Sequence, residues 1–183
     1  MRTITEQTKT NPVLADAVIE QLKVALGNLA WLDQVFGRAW TIDRGDGKKK
    51  IYEPCIYTAG NSYETLIPSA DLGNYSFFVL MDATRVDEFG KVISPFALIV
   101  WYDISKCFTD GGNCRDTENL KADILDVLRT AIVRGGSVTV TKVYEEPKNV
   151  YKGYTLDESV NRFMTQPYGA MRIEGEIVSN YQC

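Results

Sequence analysis

One stretch near the middle of the chain constrains the fold more than any other. Residues 75–86 read YSFFVLMDATRV and residues 92–104 read VISPFALIVWYDI, and the DEFGK segment between them contains Gly90. Two apolar runs joined by a short glycine-bearing turn predict a β-hairpin. Because near-continuous apolar strands are typical of strands covered on both faces, we expect this hairpin at the centre of a sheet.

A first helix is predicted near the start of the chain. Asn11 is a candidate N-cap, and Pro12 suits the first helical position. We expect the helix to end by Gly37, with a kink or a close contact at Gly27. Its apolar residues recur every three or four positions and so share one face: Leu14, Val18, Leu22, Ala25, Leu26 and Leu29.

A second amphipathic helix is predicted over about residues 117–134. Asp116 or Thr117 can cap its start, and Gly135 with Gly136 can end it. The apolar face consists of Leu120, Ile124, Val127, Leu128 and Ala131. Helices of this kind usually pack on a sheet.

Further strands surround these elements. Residues 38–60 predict two strands joined by the turn-rich DRGDG, with Pro54 favouring an edge or a bulge. The segment SVTVTKVYEE predicts another strand, and a T-x-x-E capping box at residues 155–158 predicts a short helix reaching about Met164. In the last strand Met171, Ile173 and Ile177 alternate with Arg172, Glu174 and Glu176, which is typical of a half-buried strand.

Together these elements predict one α+β domain over residues 1–183, with a polar N-terminal arm at about residues 1–10. We expect a mostly antiparallel sheet, two main helices packed on it, and a short third helix before the C-terminal strand. The size suits one domain with a substantial core, and neither repeats nor a linker divides the chain.

Composition and charge exclude several classes of protein. Hydrophobic residues are 45% of the chain and charged residues 24%, as in ordinary globular domains. The formal charge of −4 and the absence of a basic stripe disfavour tight DNA binding. The longest apolar runs are too short to cross a bilayer, and no signal peptide begins the chain, so we expect synthesis in the cytoplasm and no membrane partner. The four cysteines are expected to be reduced thiols.

The sequence offers no catalytic or cofactor motif of high specificity. There is no histidine, which removes the commonest general base and a common zinc ligand. A carboxylate pair of Asp82 and Asp103 could face each other across the hairpin and divide acid and base roles. The DRGDGKKK segment fits neither a calcium loop nor a phosphate loop, so we interpret it as a turn, and we predict no cofactor and no metal.

Aromatic residues are abundant. Trp31, Trp40 and Trp101 are predicted to lie in the core. Four tyrosines fall in the last quarter of the chain, where burial and exposure at a protein interface are equally compatible with the sequence: Tyr144, Tyr151, Tyr154 and Tyr168.

The succession of elements carries a resemblance to a known family. A long amphipathic helix, a meander with an extended hairpin, the helix ENLKADILDVLRTAI and strands ending in MRIEGEI follow one another. This order resembles the tail terminator and head-tail connector proteins of tailed bacteriophages, small α+β subunits that form rings between capsid portal and tail. The short helix before the last strand and the long 145–158 connection depart from the simplest form of that fold.

The resemblance implies a non-enzymatic virion protein, made in the host cytoplasm, that forms a homo-oligomeric ring with other neck, portal or tail proteins. DNA would pass through the ring without specific binding. A terminal strand and a long hairpin offer unpaired backbone groups that a neighbouring subunit can cover. The expected contacts lie in the hairpin tip, the 108–114 loop, the tyrosine-rich connection and the last strand, with these residues: Asp87, Glu88, Phe89, Tyr151, Tyr154, Tyr168, Arg172, Glu174 and Glu176.

Two alternatives stay open from the sequence. One is an enzyme or small-ligand protein built on Asp82 and Asp103. The other is an assembly adaptor that binds partners without forming a ring.

Overall fold

The computed structural model describes residues 1–108 and 116–180. In chain order the strands are β1 (Gln34–Arg38), β2 (Trp40–Asp43), β3 (Tyr52–Tyr57), β4 (Tyr63–Thr65), β5 (Tyr75–Leu80), β6 (Arg85–Val86), β7 (Lys91–Asp103), β8 (Gly136–Tyr144) and β9 (Tyr168–Asn180). The helices are α1 (Leu14–Leu26), α2 (Ile104–Cys107), α3 (Thr117–Thr130) and α4 (Pro147–Val150), with 3₁₀ helices at Ala70–Leu72 and Glu158–Met164.

The main sheet has the strand order β1-β5-β7-β9-β8, and β6 pairs with the first residues of β7. Only β1 and β5 pair in parallel within the described ranges, and the other pairs are antiparallel. The strands β2, β3 and β4 form a separate antiparallel sheet. The α+β class with a mostly antiparallel sheet is therefore confirmed.

One face of the main sheet is covered by α1 and α3. The buried residues of this layer, called core 1, come from both helices and from alternate positions of β7 and β9. Core 1 contains Val18, Ile19, Leu22, Leu26, Leu120, Ile124, Leu128, Phe96, Leu98, Val100, Met171, Ile173 and Ile177. The predicted packing of two main helices on the sheet is confirmed.

The opposite face of the main sheet is covered by the small sheet, the N-terminal segment and the 147–168 connection. This second layer, called core 2, contains Ile4, Phe36, Ile56, Leu66, Leu72, Tyr75, Phe77, Ile99, Trp101, Val150 and Tyr151. Apolar layers on both faces explain why β5 and β7 read as nearly continuous apolar runs.

The predicted limits of the first helix are wrong at both ends. The N-cap is Val13 rather than Asn11, which has a positive φ of 57°. The helix ends at Leu26, where the N–H of Gly27 donates to the carbonyl of Lys23 at 3.0 Å. Gly37 lies inside β1, a strand that was not predicted because its residues were included in the predicted helix.

Later boundaries also differ from the prediction. The second main helix, α3, stops at Thr130 instead of residue 134, and Asp116 is its N-cap residue. Thr155 caps no helix, because its backbone N–H and side-chain oxygen bond to the carbonyl and N–H of Tyr52 in β3. The short helix before the last strand is present as the 3₁₀ turn over Glu158–Met164.

The polar N-terminal arm is docked on the body of the protein. Ile4 is buried, and its N–H donates to the side-chain oxygen of Gln34 at 2.9 Å. Glu6 forms a bridge with Thr58 and accepts hydrogen bonds from Lys23 and from the Gly37 N–H. The arm therefore contributes to core 2 instead of extending into solvent.

Cys55 and Cys107 are free thiols, as expected, whereas Cys114 and Cys183 lie outside the described residues. Burial, together with the negative charge of Asp103, raises the pKa of the Cys107 thiol to about 12. No helix in residues 1–108 and 116–180 has the length and apolar character that crossing a bilayer requires.

Candidate assembly surface

The predicted hairpin is present and ends in a well-ordered turn. β5 pairs with β7 from Tyr75 opposite Trp101 to Leu80 opposite Phe96, and β6 continues the pairing to Val86 opposite Val92. Lys91, the first residue of β7, still pairs with Asn180 of β9. Residues 87–90, called the hairpin tip, therefore lie beyond the end of the sheet.

The side chain of Asp87 holds the hairpin tip together. Its Oδ1 accepts the N–H of Phe89 at 2.9 Å and the N–H of Lys91 at 2.8 Å. The N–H of Gly90 donates to the Asp87 carbonyl at 3.1 Å, and Gly90 has a φ of +75°, which favours glycine. Asp87, predicted as a contact residue, thus has a structural role in the turn.

Two apolar side chains at this end of the hairpin face solvent. Phe89 is 78% exposed and Val86 is 66% exposed. An exposed aromatic side chain on a turn closed by hydrogen bonds is typical of binding surfaces, because burial in a partner is favoured by the hydrophobic effect. The location of Phe89 and Glu88 on the surface agrees with their predicted role, which stays a prediction.

Glu176 has an intramolecular partner. Its Oε1 lies 3.0 Å from the Arg85 guanidinium, and its Oε2 accepts a hydrogen bond from the same group at 3.1 Å. This partly exposed ion pair links the short strand β6 to β9 across β7.

β8, and not β9, is an edge strand of the main sheet, and β1 is the edge strand on the opposite side. In the described residues β8 pairs only with β9, whereas β9 pairs along its length with β7 on its other side. Val138, Val140 and Val143 pack on core 1, while Ser137 and Thr139 face solvent. The expectation that the terminal strand offers unpaired backbone groups to a neighbouring subunit is wrong for β9, since β9 is paired with β7 on one side and β8 on the other.

Arg172 and Glu174 form a buried pair beneath the 147–168 connection. The Arg172 Nε donates to Glu174 Oε1 at 2.7 Å, and the two side chains are 7% and 19% exposed. Arg172 also donates to the Val150 carbonyl at 3.5 Å. These residues were predicted as surface contacts, but their geometry makes them an internal link between β9 and α4.

The tyrosines predicted as contacts lie in or against core 2. Tyr151 is 3% exposed, and its hydroxyl is 3.3 Å from that of Tyr75, which donates to the Leu66 carbonyl at 3.1 Å. Burial raises the pKa of both Tyr75 and Tyr151, and of Tyr154 as well. Tyr168 stacks on Trp101 with ring centroids 5.3 Å apart. The open choice between core and interface is thus decided in favour of core for Tyr151, Tyr154 and Tyr168. Tyr144 is half-buried at the end of β8, and for it the choice stays open.

The carboxylate pair on which the enzyme hypothesis depends does not form. Asp82 lies next to Met81, whose N–H donates to the Pro95 carbonyl, so Asp82 is near residue 95 of β7. Asp103 is the last residue of β7. At about 3.3 Å per residue, the eight positions from 95 to 103 separate the two ends by roughly 26 Å. Asp103 accepts the N–H and hydroxyl of Ser105, at 3.1 and 2.6 Å, and so begins α2.

The DRGDG segment is a turn, as predicted. Asp43 Oδ1 accepts the N–H groups of Gly45 and Ile51, and Asp46 Oδ1 accepts those of Lys48 and Lys49. These backbone hydrogen bonds lower the pKa of both carboxyl groups. Across the described ranges, no three His, Cys, Asp or Glu side chains converge as a metal site would require.

Sequence reasoning did not identify two other surface features. Trp40, expected in the core, is 41% exposed on the outer face of the small sheet, with the Arg38 guanidinium 4.2 Å from its ring centroid. It lines a groove of about 450 Å³ together with Tyr57 and Tyr63. The second feature is the β8 edge, whose alternating valines and threonines resemble those of any half-buried strand. Of the predicted 108–114 loop, all but Phe108 lies outside the described residues.

No protein-family model and no curated protein matches the sequence. The functional interpretation therefore depends on the geometry of the hairpin tip and the β8 edge.

Proposed function

We propose that this protein is an assembly subunit without catalytic activity, which self-associates through the hairpin tip and the β8 edge. More particularly, we propose a ring-forming head-tail connector or tail terminator subunit of a tailed bacteriophage. It would be made in the host cytoplasm and incorporated in the virion, where it would join the capsid portal to the tail.

The observation that carries this proposal is the exposed Phe89 on a tip closed by hydrogen bonds. Asp87 fixes the turn through two backbone hydrogen bonds, so little conformational entropy is lost when the tip binds. Aromatic anchors inserted into a partner commonly supply most of the energy of an interface. The resemblance in element order supports the assignment to the phage neck.

The charge of the chain supports passage of DNA through such a ring. The formal charge is −4, and the three consecutive lysines at 48–50 form a local turn rather than a stripe. DNA-binding proteins neutralise phosphates with many lysines and arginines. A ring of weakly acidic subunits would therefore hold DNA loosely and let it move.

The experiment that tests the proposal measures oligomeric state. We expect native mass spectrometry and light scattering of the full chain over a range of concentrations to show one defined oligomer, growing at the expense of monomer. A chain that stays monomeric throughout, even with portal or tail proteins present, would contradict the proposal.

An adaptor that binds a partner without forming a ring is the second candidate. The observation in its favour is that β8 has a register shift between Val140 and Lys142 and an exposed lysine at that point. Bulges and lysines on edge strands oppose the addition of another strand. An adaptor would give a complex of fixed low stoichiometry with its partner and no oligomer alone.

A further inference from the structure

A pocket of about 420 Å³ lies between the start of α1 and the ends of β8 and β9. The α1 side contributes Pro12, Val13, Leu14 and Ala17, and the opposite rim carries Arg134 and Asn180. Roughly 150 Å³ is enough to hold a benzene molecule, so the pocket has ample room for one aromatic ring. Val13 is 69% exposed at this site, which leaves apolar surface open to solvent.

The rim of the pocket holds an arginine on a fixed backbone. The N–H of Arg134 donates to the Gln21 side-chain oxygen at 2.7 Å, and its carbonyl accepts from the Gln21 amide at 3.2 Å. Among the described residues, no carboxylate lies within ion-pair distance of the Arg134 guanidinium. The Arg134 guanidinium is therefore available to pair with an anionic group of another molecule.

The hairpin tip carries the matching groups. Phe89 is the exposed aromatic ring, and the neighbouring Glu88 makes no ion pair within the part of the chain that the structure describes. Two of the other charged groups here have internal partners, since Asp87 closes the turn and Arg85 pairs with Glu176. The exposed Lys91 follows the tip, and its backbone N–H donates to Asp87. The tip thus presents one ring and one free carboxylate, and the pocket presents an apolar cavity and one free guanidinium.

The tip and the pocket lie at the same end of the main sheet. Lys91, which follows the tip, pairs with Asn180 on the pocket rim, and Gly136, two residues after Arg134, is paired with Ser179. Phe89 does not enter the pocket of its own chain, because it is exposed. If subunits were arranged side by side, every contact between a tip and a pocket would lie at the same end of the assembly.

We propose that Phe89 of one copy inserts into the pocket of a second copy of this chain, and that Glu88 pairs there with Arg134. This inference depends on the proposed self-association and specifies its contact. Complementary charge favours another copy as the occupant. Because each copy carries one tip and one pocket, the contact can be repeated from subunit to subunit.

The first test compares variants of the full chain by sedimentation over a concentration series. Phe89→Ala removes the ring, and Ala17→Trp fills the pocket, so each should weaken association about tenfold or more. Val24→Ala removes an equally exposed apolar side chain from α1 outside the pocket and should leave association unchanged. Thermal unfolding of Phe89→Ala should match that of the parent chain, since the ring makes no internal contacts in core 1 or core 2.

The second test exchanges the charges. Glu88→Arg and Arg134→Glu should each weaken association, and the double variant should restore most of the loss, which a merely structural role would not produce. If the parent chain assembles but Phe89→Ala and both charge variants assemble equally well, the tip and pocket contact is overturned, and only self-association through the β8 edge stands. If the parent chain never assembles, even with portal or tail proteins present, both proposals fail.

Discussion

At the scale of single residues, Arg172 is a charged side chain that was expected on the surface and is buried in the structure. Its position in the alternating pattern of β9 places it with Glu174 and Glu176, on the face expected to meet solvent. This part of that face lies beneath α4, where Arg172 also donates to the Val150 carbonyl. A desolvated guanidinium is tolerated there because Glu174 lies 2.7 Å from its Nε.

We expect Glu174→Ala to destabilise the fold by about 2 kcal/mol, because it leaves the buried Arg172 without its carboxylate. Chemical denaturation followed by circular dichroism measures this loss. The control is Asp126→Ala, which breaks the exposed pair with Arg129 and should cost about 0.5 kcal/mol or less. Equal effects of the two substitutions would contradict the assignment of Arg172 and Glu174 to the interior.

At the scale of elements, β9 is the strand that joins the two halves of the main sheet. It pairs with β7 over thirteen positions, from Tyr168 opposite Asp103 to Asn180 opposite Lys91. On its other side Gly175 lies opposite Val140, where the register of β8 shifts. A Cβ atom added at Gly175 would be 2.1 Å from the Thr139 carbonyl oxygen and 2.9 Å from the Phe96 ring.

Gly175→Ala is therefore expected to destabilise the protein by about 2 kcal/mol or more, since backbone has to move to relieve the overlap. Thermal unfolding is the measurement. Gly60→Ala is the matched control, because its added Cβ has only the Thr58 hydroxyl oxygen nearby, at 3.9 Å. A Gly175 variant as stable as the Gly60 variant would show that β8 and β9 approach less closely.

At the scale of the whole molecule, the main sheet is shared by two apolar layers. Phe96 and Leu98 face core 1, whereas Ile99 and Trp101 of the same strand face core 2. Unfolding of the main sheet would therefore expose the apolar residues of core 1 and core 2 together. The small sheet is joined to the same unit, because Ile56 belongs to core 2 and Thr155 bonds to Tyr52.

We expect the chain to unfold in one cooperative transition. The three tryptophans report different regions, because Trp31 packs on core 1, Trp101 lies in core 2 and Trp40 is on the small sheet. In variants that keep one tryptophan and replace the others by phenylalanine, the fluorescence midpoint should coincide with the circular dichroism midpoint. A separate early transition of Trp40 would show that the small sheet unfolds independently.

The assembly surface was only partly predictable from sequence. The glycine-bearing turn between two apolar runs predicted the hairpin and so placed Glu88 and Phe89 at its tip. The pocket beside Arg134 was not predictable, because Pro12 and Asn180 come together only when α1 packs beside the end of β9. Tyr151 and Tyr168 were equally compatible with core and surface until the 147–168 connection folded over core 2.

The amino-acid sequence by itself determined the α+β class, the central hairpin and the apolar faces of α1 and α3. These follow from local periodicity, which depends only on the geometry of a helix or a strand. Tertiary structure alone decided the strand order, with β9 inside and β8 at the edge, and hence which polar residues are buried. The physical reason is that burial depends on contacts between segments distant in sequence, such as that between Arg172 and Val150. The alternation of apolar and polar residues along one strand does not specify those contacts.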